Sequence, residues 1–307
     1  MDMINIVGVS KAYAQVKAIQ SVSLTVNKGE LFGLIGPDGA GKTTLFRILT
    51  TLLLPDTGYA TVAGHNTVND YKKLRRILGY MPGKFSLYQD LSVEENLNFF
   101  AKIFKTSIQQ NYYLIKDIYQ FLEPFKDRPA GKLSGGMKQK LALCCALIHK
   151  PVVLFLDEPT TGVDAVSRKE FWDMLGGLKK EGITIFVSTP YMDEASLCER
   201  IALIQDGHIM KVDTPQGIRS SYPMELYALH LEGIASLLPQ LRLFDGLHSM
   251  FSFGQSLHIT FKPGSDASKL THYLHSIGQS TVQIDRIEPQ IEDCFMEMMQ
   301  HNTPANG

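Results

Sequence analysis

Long apolar runs are missing from this chain of 307 residues. No stretch reaches the ~18 to 20 residues that a spanning helix needs. The opening Met1-Asp2-Met3-Ile4 has no basic start leading into an apolar core, so no leader is expected either. The chain is therefore expected to be soluble, or peripheral to a membrane through a partner. A surplus of one charge is also missing. Thirty basic residues against 31 acidic ones leave a formal charge of −1, which provides no bulk field for nucleic acid. Cysteine is sparse: Cys144, Cys145, Cys198 and Cys294 show no C-x-x-C spacing and no paired histidines nearby. That excludes a disulfide framework and a zinc site, and leaves four small buried hydrophobes in a reducing compartment as the expectation. What the chain does have is 44% hydrophobic residues, enough for a substantial core and, at this length, for two domains or one domain with an appendage.

The most informative stretch is Gly36-Pro37-Asp38-Gly39-Ala40-Gly41-Lys42-Thr43-Thr44. It spells G-x-x-x-x-G-K-[ST] after the apolar run Leu31 to Ile35 and before the helical pattern Leu45 to Leu49. The glycines let consecutive backbone N–H groups turn inward toward phosphate oxygens, and the following helix adds its positive end. In this reading Lys42 reaches the β- and γ-phosphates, and the Thr43 hydroxyl sits on Mg²⁺. A second apolar run, Pro151 to Leu156, has the character of a central parallel strand and ends in Asp157-Glu158-Pro159. Carboxylates at the carboxyl end of such a strand lie where α/β sheets bind ligands. Asp157 can hold Mg²⁺ through its water shell, and Glu158 can orient the attacking water.

Around these motifs the pattern is mostly α/β. Strands are expected at Met3 to Val9 and Ala18 to Val26, with a loop at Ser10 to Gln15 that carries Tyr13, a ring able to stack on a base. Further strands are expected at Tyr59 to Val62, Gly79 to Met81 and Ile183 to Ser188, with a hairpin at Ile201 to Val212 around Asp206-Gly207. Residues of about 90 to 148 are mostly helical, opening on the capping box Ser92-Val93-Glu94-Glu95. This stretch is dense in aromatics (Phe99, Phe100, Phe104, Tyr112, Tyr113, Tyr119, Phe121, Phe125), whose helical spacing assigns most of them to core packing. Ser134-Gly135-Gly136 begins a helix whose apolar face is Leu141, Cys144, Cys145 and Ile148, and a serine with exposed N–H groups at a helix start makes an anion site. From Met224 the order is strand, helix, paired strands, helix, strand, helix. That is a small α+β unit with no catalytic constellation; its histidines 248, 258, 272 and 275 are scattered, and the tail from His301 to Gly307 is expected to be disordered.

Taken together, the phosphate loop, Leu133-Ser134-Gly135-Gly136-Met137 and Leu154-Phe155-Leu156-Asp157-Glu158-Pro159 resemble the nucleotide-binding subunit of an ABC transporter, over about residues 3 to 220. The branch resembled is that of the drug, antibiotic and lipid exporters, whose subunits carry an appended C-terminal segment. The resemblance implies an α/β P-loop NTPase core of the ABC type, residues 1 to 220, with a helical signature subdomain at about 90 to 148. A small α+β accessory domain at 221 to 307 follows. It implies an ATPase using ATP and Mg²⁺, in which Tyr13 stacks on adenine. Ser134, Gly135 and Gly136 then touch the γ-phosphate held by a second ABC subunit, and Asp164 lies at that interface. The other implied partners are polytopic permease subunits, one of whose short cytosolic helices docks near Gly83 to Tyr88. The implied location is the cytoplasmic face of the inner membrane.

Two positions depart from the family pattern. Where Gln is usual after the strand ending at Met81, this chain has Pro82-Gly83, and where His is usual after Ser188-Thr189 it has Pro190. Each lost charge-assisted contact is worth about 1.5 to 3 kcal/mol, on the order of ten- to a hundredfold in rate if it acts only in the transition state. Asp38 adds a carboxylate where Asn is common. The expectation is a weakened ATP site paired with a competent site on a different partner, so a heteromeric pair is favoured over a homodimer. A non-transport ABC protein of ribosomes or DNA would favour a second cassette, a long coiled coil or a basic arm, none of which is seen. A non-hydrolysing regulatory module is the third reading, against which Glu158 stands. A GTPase would need an N-K-x-D sequence, which is missing.

Overall fold

The computed structural model describes residues 2–279 and 281–302. The chain divides into two compact units, Met1–Pro215 and Gln216–Gly307, a division five residues ahead of the boundary read from the sequence.

In the first unit, an antiparallel sheet of order β2-β1-β4-β5 is built from β1 (Asp2–Tyr13), β2 (Val16–Asn27), β4 (Thr57–Val62) and β5 (His65–Asn66). The loop expected at Ser10 to Gln15 is not there. β1 continues through Tyr13, which pairs with Val16 across a tight hairpin. Register shifts along β1 absorb the irregular pattern that reads as a break in the sequence. The second sheet, of order β10-β9-β3-β8-β7-β6, holds β3 (Leu31–Ile35), β6 (Leu78–Met81), β7 (Val153–Asp157), β8 (Thr184–Thr189) and β9 (Arg200–Gln205) in parallel, with β10 (His208–Asp213) antiparallel at one edge. β3, β7 and β8 are buried at every residue, as strands covered on both faces must be.

Helix α1 (Lys42–Leu49) packs into a core shared by both sheets through Leu45, Phe46, Ile48 and Leu49, none of them exposed. The Phe46 ring meets Phe186 at 4.9 Å and Phe155 at 5.7 Å, so the helix that follows the phosphate loop is clamped to the middle of the two strands whose carboxyl ends carry the acidic pair and its neighbours. α2 (Tyr71–Ile77) leads into β6. The helical insert comprises α3 (Val93–Ile103), α4 (Tyr112–Tyr119) and α5 (Gly135–Leu147), joined by short 3₁₀ turns. α3 opens on the expected capping box, with Ser92 Oγ accepting from Glu95 N at 3.1 Å and Glu95 accepting from Ser92 N at 2.8 Å. The aromatic expectation fails: of the eight rings only Tyr119 is buried, and Tyr113 and Phe121 are 52% and 44% exposed. Aliphatic residues (Val93, Leu97, Leu114, Ile115, Ile118, Leu122) take the core-facing stripe instead. α6 (Ala165–Lys180) then crosses to β8.

α7 (Pro215–Ser220), which the sequence pattern does not signal, precedes the second unit's sheet of order β12-β13-β11-β14. Its strands are β11 (Leu226–Leu231), β12 (Leu247–Phe253), β13 (Ser256–Phe261) and β14 (Val282–Ile287), all paired antiparallel. With α8 (Ile234–Leu243) and α9 (Ala267–Ser276) this is the βαββαβ arrangement of ferredoxin-like domains. Leu229, Leu241, Ile259, Leu270 and Leu274 form its core. α10 (Ile291–Asn302) supplies buried Asp293, whose carboxylate meets His258 Nδ1 at 2.6 Å. His272 and His275 are exposed on α9. Of the tail expected to be disordered, 301 and 302 end α10, and 303–307 lie outside the described residues.

Candidate functional site

The carboxyl ends of β3, β7 and β8 converge. The loop after β3 bends because Gly39 and Gly41 hold left-handed φ values of 82° and 104°, which L side chains adopt only under strain. Close approach requires glycine at Gly41 a second time, and at Gly36. A Cβ on Gly41 would sit 2.3 Å from the Ala18 carbonyl oxygen of β2, and one on Gly36 would sit 2.2 Å from the Ile204 carbonyl oxygen of β9. The turn at Gly207 between β9 and β10 closes over the loop, with Gly207 N donating to Ala40 O at 3.1 Å and Gly207 O accepting from Gln20 N at 2.9 Å. The loop is thus wedged between both sheets before α1 begins.

Lys42 is 3% exposed. Its ammonium donates to the carbonyls of Gly36 at 2.8 Å and Pro37 at 2.9 Å and forms an ion pair with Glu158 at 3.0 Å. Asp157, 2% exposed, accepts on Oδ1 from Ser188 Oγ at 2.8 Å and Thr43 Oγ1 at 3.2 Å. Glu158 stands at φ 50°, a strained backbone for a non-glycine residue. Two bonds from its N–H hold it there, to Ser188 O at 3.0 Å and Ser188 Oγ at 3.1 Å. Tyr80 of β6 reaches the same corner; burial, and then the Asp157 charge, push its hydroxyl up to about 12. A hydroxyl and a buried carboxylate set beside a lysine and a run of backbone N–H groups suit a magnesium-bound polyphosphate. Thr43 and Asp157 would hold the metal, which would neutralise phosphate charge.

Not every predicted residue comes to this point. Thr44 lies in the first turn of α1, and Asp38 is exposed on the loop. Tyr13, 43% exposed, stands at the tip of the β1–β2 hairpin, the hairpin whose Ala18 touches Gly41. Ser134, Gly135 and Gly136 sit elsewhere, at the start of α5. Ser134 Oγ accepts from Met137 N at 3.3 Å, and Gly136 lies against Ser167 in the first turn of α6. Asp164 caps that turn, accepting from Val166 N and Ser167 N, and the Ser167 amide holds its carboxyl below the usual range. Among the described residues, no hydrogen bond joins Ser134–Gly136 to the phosphate loop of the same chain.

Sequence reasoning missed Glu194. It is 2% exposed and accepts from Thr160 Oγ1 at 2.8 Å, Arg168 Nε at 3.1 Å and Thr189 Oγ1 at 2.5 Å. It thereby joins the turn after Glu158, the helix behind Asp164 and the strand end beside Pro190. Thr189 O in turn accepts from Gly36 N at 3.3 Å. The available signal was the Asp193-Glu194 pair two residues after Tyr191, whose spacing alone names no partner.

Residues 19–161 match the family model described as ABC transporter. The multidrug ABC transporter ATP-binding protein YbhF of Escherichia coli, itself named as probable, is 37% identical over 286 residues, 92% of this chain; the chain spans about half of that relative, 49% of its length. The doxorubicin resistance ATP-binding protein DrrA of Mycobacterium tuberculosis is 37% identical over 317 residues, covering 97% of this chain and 94% of the relative. The chain belongs to the ABC transporter ATP-binding family. A solved dimeric bacterial ABC transporter cassette, MJ0796, matches with a TM-score of 0.62 at 27% identity, over 69% of this chain and 98% of that one. An ATP-binding subunit of an ABC transporter matches with a TM-score of 0.65 at 25% identity, over 72% of this chain and 93% of that one. The first unit is accordingly an ABC ATPase domain.

Proposed function

We propose that this ABC chain couples ATP binding and hydrolysis to export through separate polytopic membrane subunits, at the cytoplasmic face of the inner membrane. ATP lies on Gly36 to Thr44 with Tyr13 stacked on its base, Thr43 and Asp157 hold Mg²⁺, and Glu158 orients the attacking water. One observation carries this reading: Lys42, Thr43, Asp157 and Glu158 converge within hydrogen-bonding distance, while Ser134 to Gly136 lie apart beside the Asp164 turn. A site divided in this way is completed by a second ABC subunit. Docking of the membrane partner is supported by a cavity of about 320 Å³ between β6 and the helical insert, lined by Tyr80, Met81, Leu87, Phe100, Phe104 and Cys145. Among the described residues, no helix is long and apolar enough to cross a membrane. The resistance name of the DrrA relative makes a doxorubicin-like compound the cargo class to try first.

The chain's own site is slow in this reading. A Cβ on Gly83 would lie 3.0 Å from the Asp157 carbonyl and 3.8 Å from Glu158 Cβ, so a side chain at that position would stand directly beside the acidic pair. Glycine supplies none, and Pro190 supplies no polar group on the other side. The site therefore works best beside a different, fully equipped subunit, to which Ser134, Gly135 and Gly136 are presented. Steady-state ATPase of the purified chain tests this. A low rate is expected, rising on the order of tenfold or more when Gly83→Gln and Pro190→His are combined. A vigorous rate in the unmodified chain, or no gain in the double variant when nucleotide binding is retained, would refute the weakened site.

A further inference from the structure

The carboxyl-terminal third of α6 carries Gly176-Gly177, and nothing among the described residues accounts for the pair. Neither residue has a positive φ, and a Cβ built on either would meet no atom within 4 Å. Each glycine in a helix interior is destabilising relative to alanine, because it loses more backbone freedom on folding. The fold bears this cost without using the space it opens. Gly177 borders a groove of about 490 Å³ between α4 and α6. The floor of the groove is apolar, formed by Leu114, Ile118, Met174 and Leu178, and Phe121 lies in its wall 44% exposed. The rim is acidic. Asp117, Asp173 and Glu181 line it and, among the described residues, none forms an ion pair; Glu170 is held by Lys140 at 2.7 Å, Lys180 is a cation of the rim, and Lys140 and Lys150 stand over the Phe121 and Tyr113 rings of the wall.

We propose that this groove docks a basic amphipathic helix of a partner protein. Its apolar face would lie on the groove floor, its lysines or arginines would meet the rim carboxylates, and its backbone would approach α6 closely where Gly177 presents no side chain. Small residues at a crossing point allow helix axes to come closer than the usual 8–10 Å. Complementary charge selects the partner. A second copy of this chain would set acidic rim against acidic rim, and an anionic lipid surface would be repelled in the same way. The surface is separate from the nucleotide loop and from the cavity beside β6, so the inference does not depend on the proposed export function.

The test uses the full chain and a fluorescein-labelled 16-residue peptide of leucine and lysine, with leucines at helical spacing. Anisotropy should show saturable one-to-one binding that weakens about tenfold from 50 to 300 mM salt, as the rim charges are screened. Gly177→Leu, which fills the groove, and Asp173→Lys, an exposed change that reverses part of the rim, should each weaken binding about tenfold while the melting midpoint holds. The paired change Gly176→Ala with Gly177→Ala should raise the midpoint by about 2 to 8 °C. A lower midpoint in that variant would mean that the fold needs these glycines, and would overturn the proposal. Equal binding of a leucine and glutamate peptide would also overturn it, as would wild-type affinity in both Gly177→Leu and Asp173→Lys. Self-association in sedimentation that Gly177→Leu abolishes would assign the groove to a second copy instead.

Discussion

Lys42 is surrounded by two carbonyls and one carboxylate, and its ammonium is nearly dehydrated. A phosphate that enters must compete with Glu158 for it, so the ion pair links loading of the loop to release of the residue proposed to orient water. Glu194 has a different role, holding three segments around that pair. Replacing it by alanine leaves Arg168 and two hydroxyls without their shared acceptor. Glu194→Ala should therefore lower stability by about 3 kcal/mol, read from urea unfolding, with Glu194→Gln losing less because it keeps an acceptor. His149 offers a pH-dependent contribution. Its ring stacks on Phe104 at 3.8 Å and its Nε2 meets Leu78 O at 2.9 Å, so the neutral ring carries its proton on Nε2. Burial lowers its pKa below the ordinary 6.5. The unfolded chain then binds the proton more readily than the folded one, so stability is complete above pH 6.5 and falls as pH drops below it toward the folded-state value. His149→Gln should flatten that part of the stability profile, measured by urea midpoints between pH 7.5 and 5.5.

At the scale of elements, the phosphate loop depends on contacts between strands that are far apart in sequence. Gly39 and Gly41 read alike in the sequence, but their surroundings differ. A Cβ at Gly39 would meet nothing within 4 Å, whereas one at Gly41 would strike the Ala18 carbonyl. Gly39→Ala should cost about 1 kcal/mol from backbone strain alone, and Gly41→Ala about 2 to 4 kcal/mol with loss of nucleotide binding. Urea unfolding and titration with a fluorescent ATP analogue distinguish the two. The same distinction explains which elements could be read in advance. The capping box of α3 was legible because its two bonds join residues three apart. The apolar face of α5 was legible too, and Cys144, Cys145 and Cys198 are buried in the structure, with burial pushing their thiols up. The aromatics of the insert were not legible, because periodicity marks which residues share a helix face but not which face another element covers. Tyr13 was read as a loop residue because a bulged strand loses its two-residue alternation.

At the scale of the whole molecule, the two units have separate hydrophobic cores. The second should fold without the first: a fragment of residues 216–307 is expected to unfold in one cooperative urea transition, with mixed α/β circular dichroism. A non-cooperative profile would mean that its core needs the first unit. Sequence alone determined the phosphate loop, the acidic pair after β7, the helix cap at Ser92 and the alternation of strands and helices. Each of these is a local pattern, set by residue type, spacing and backbone preference within a few residues. Only the tertiary structure decided that Glu194 is a buried acceptor, that Gly36 and Gly41 are required by Ile204 and Ala18, and that all the insert's rings but Tyr119 remain partly exposed. Those outcomes depend on which distant segments meet, and burial is a property of the meeting rather than of the residue.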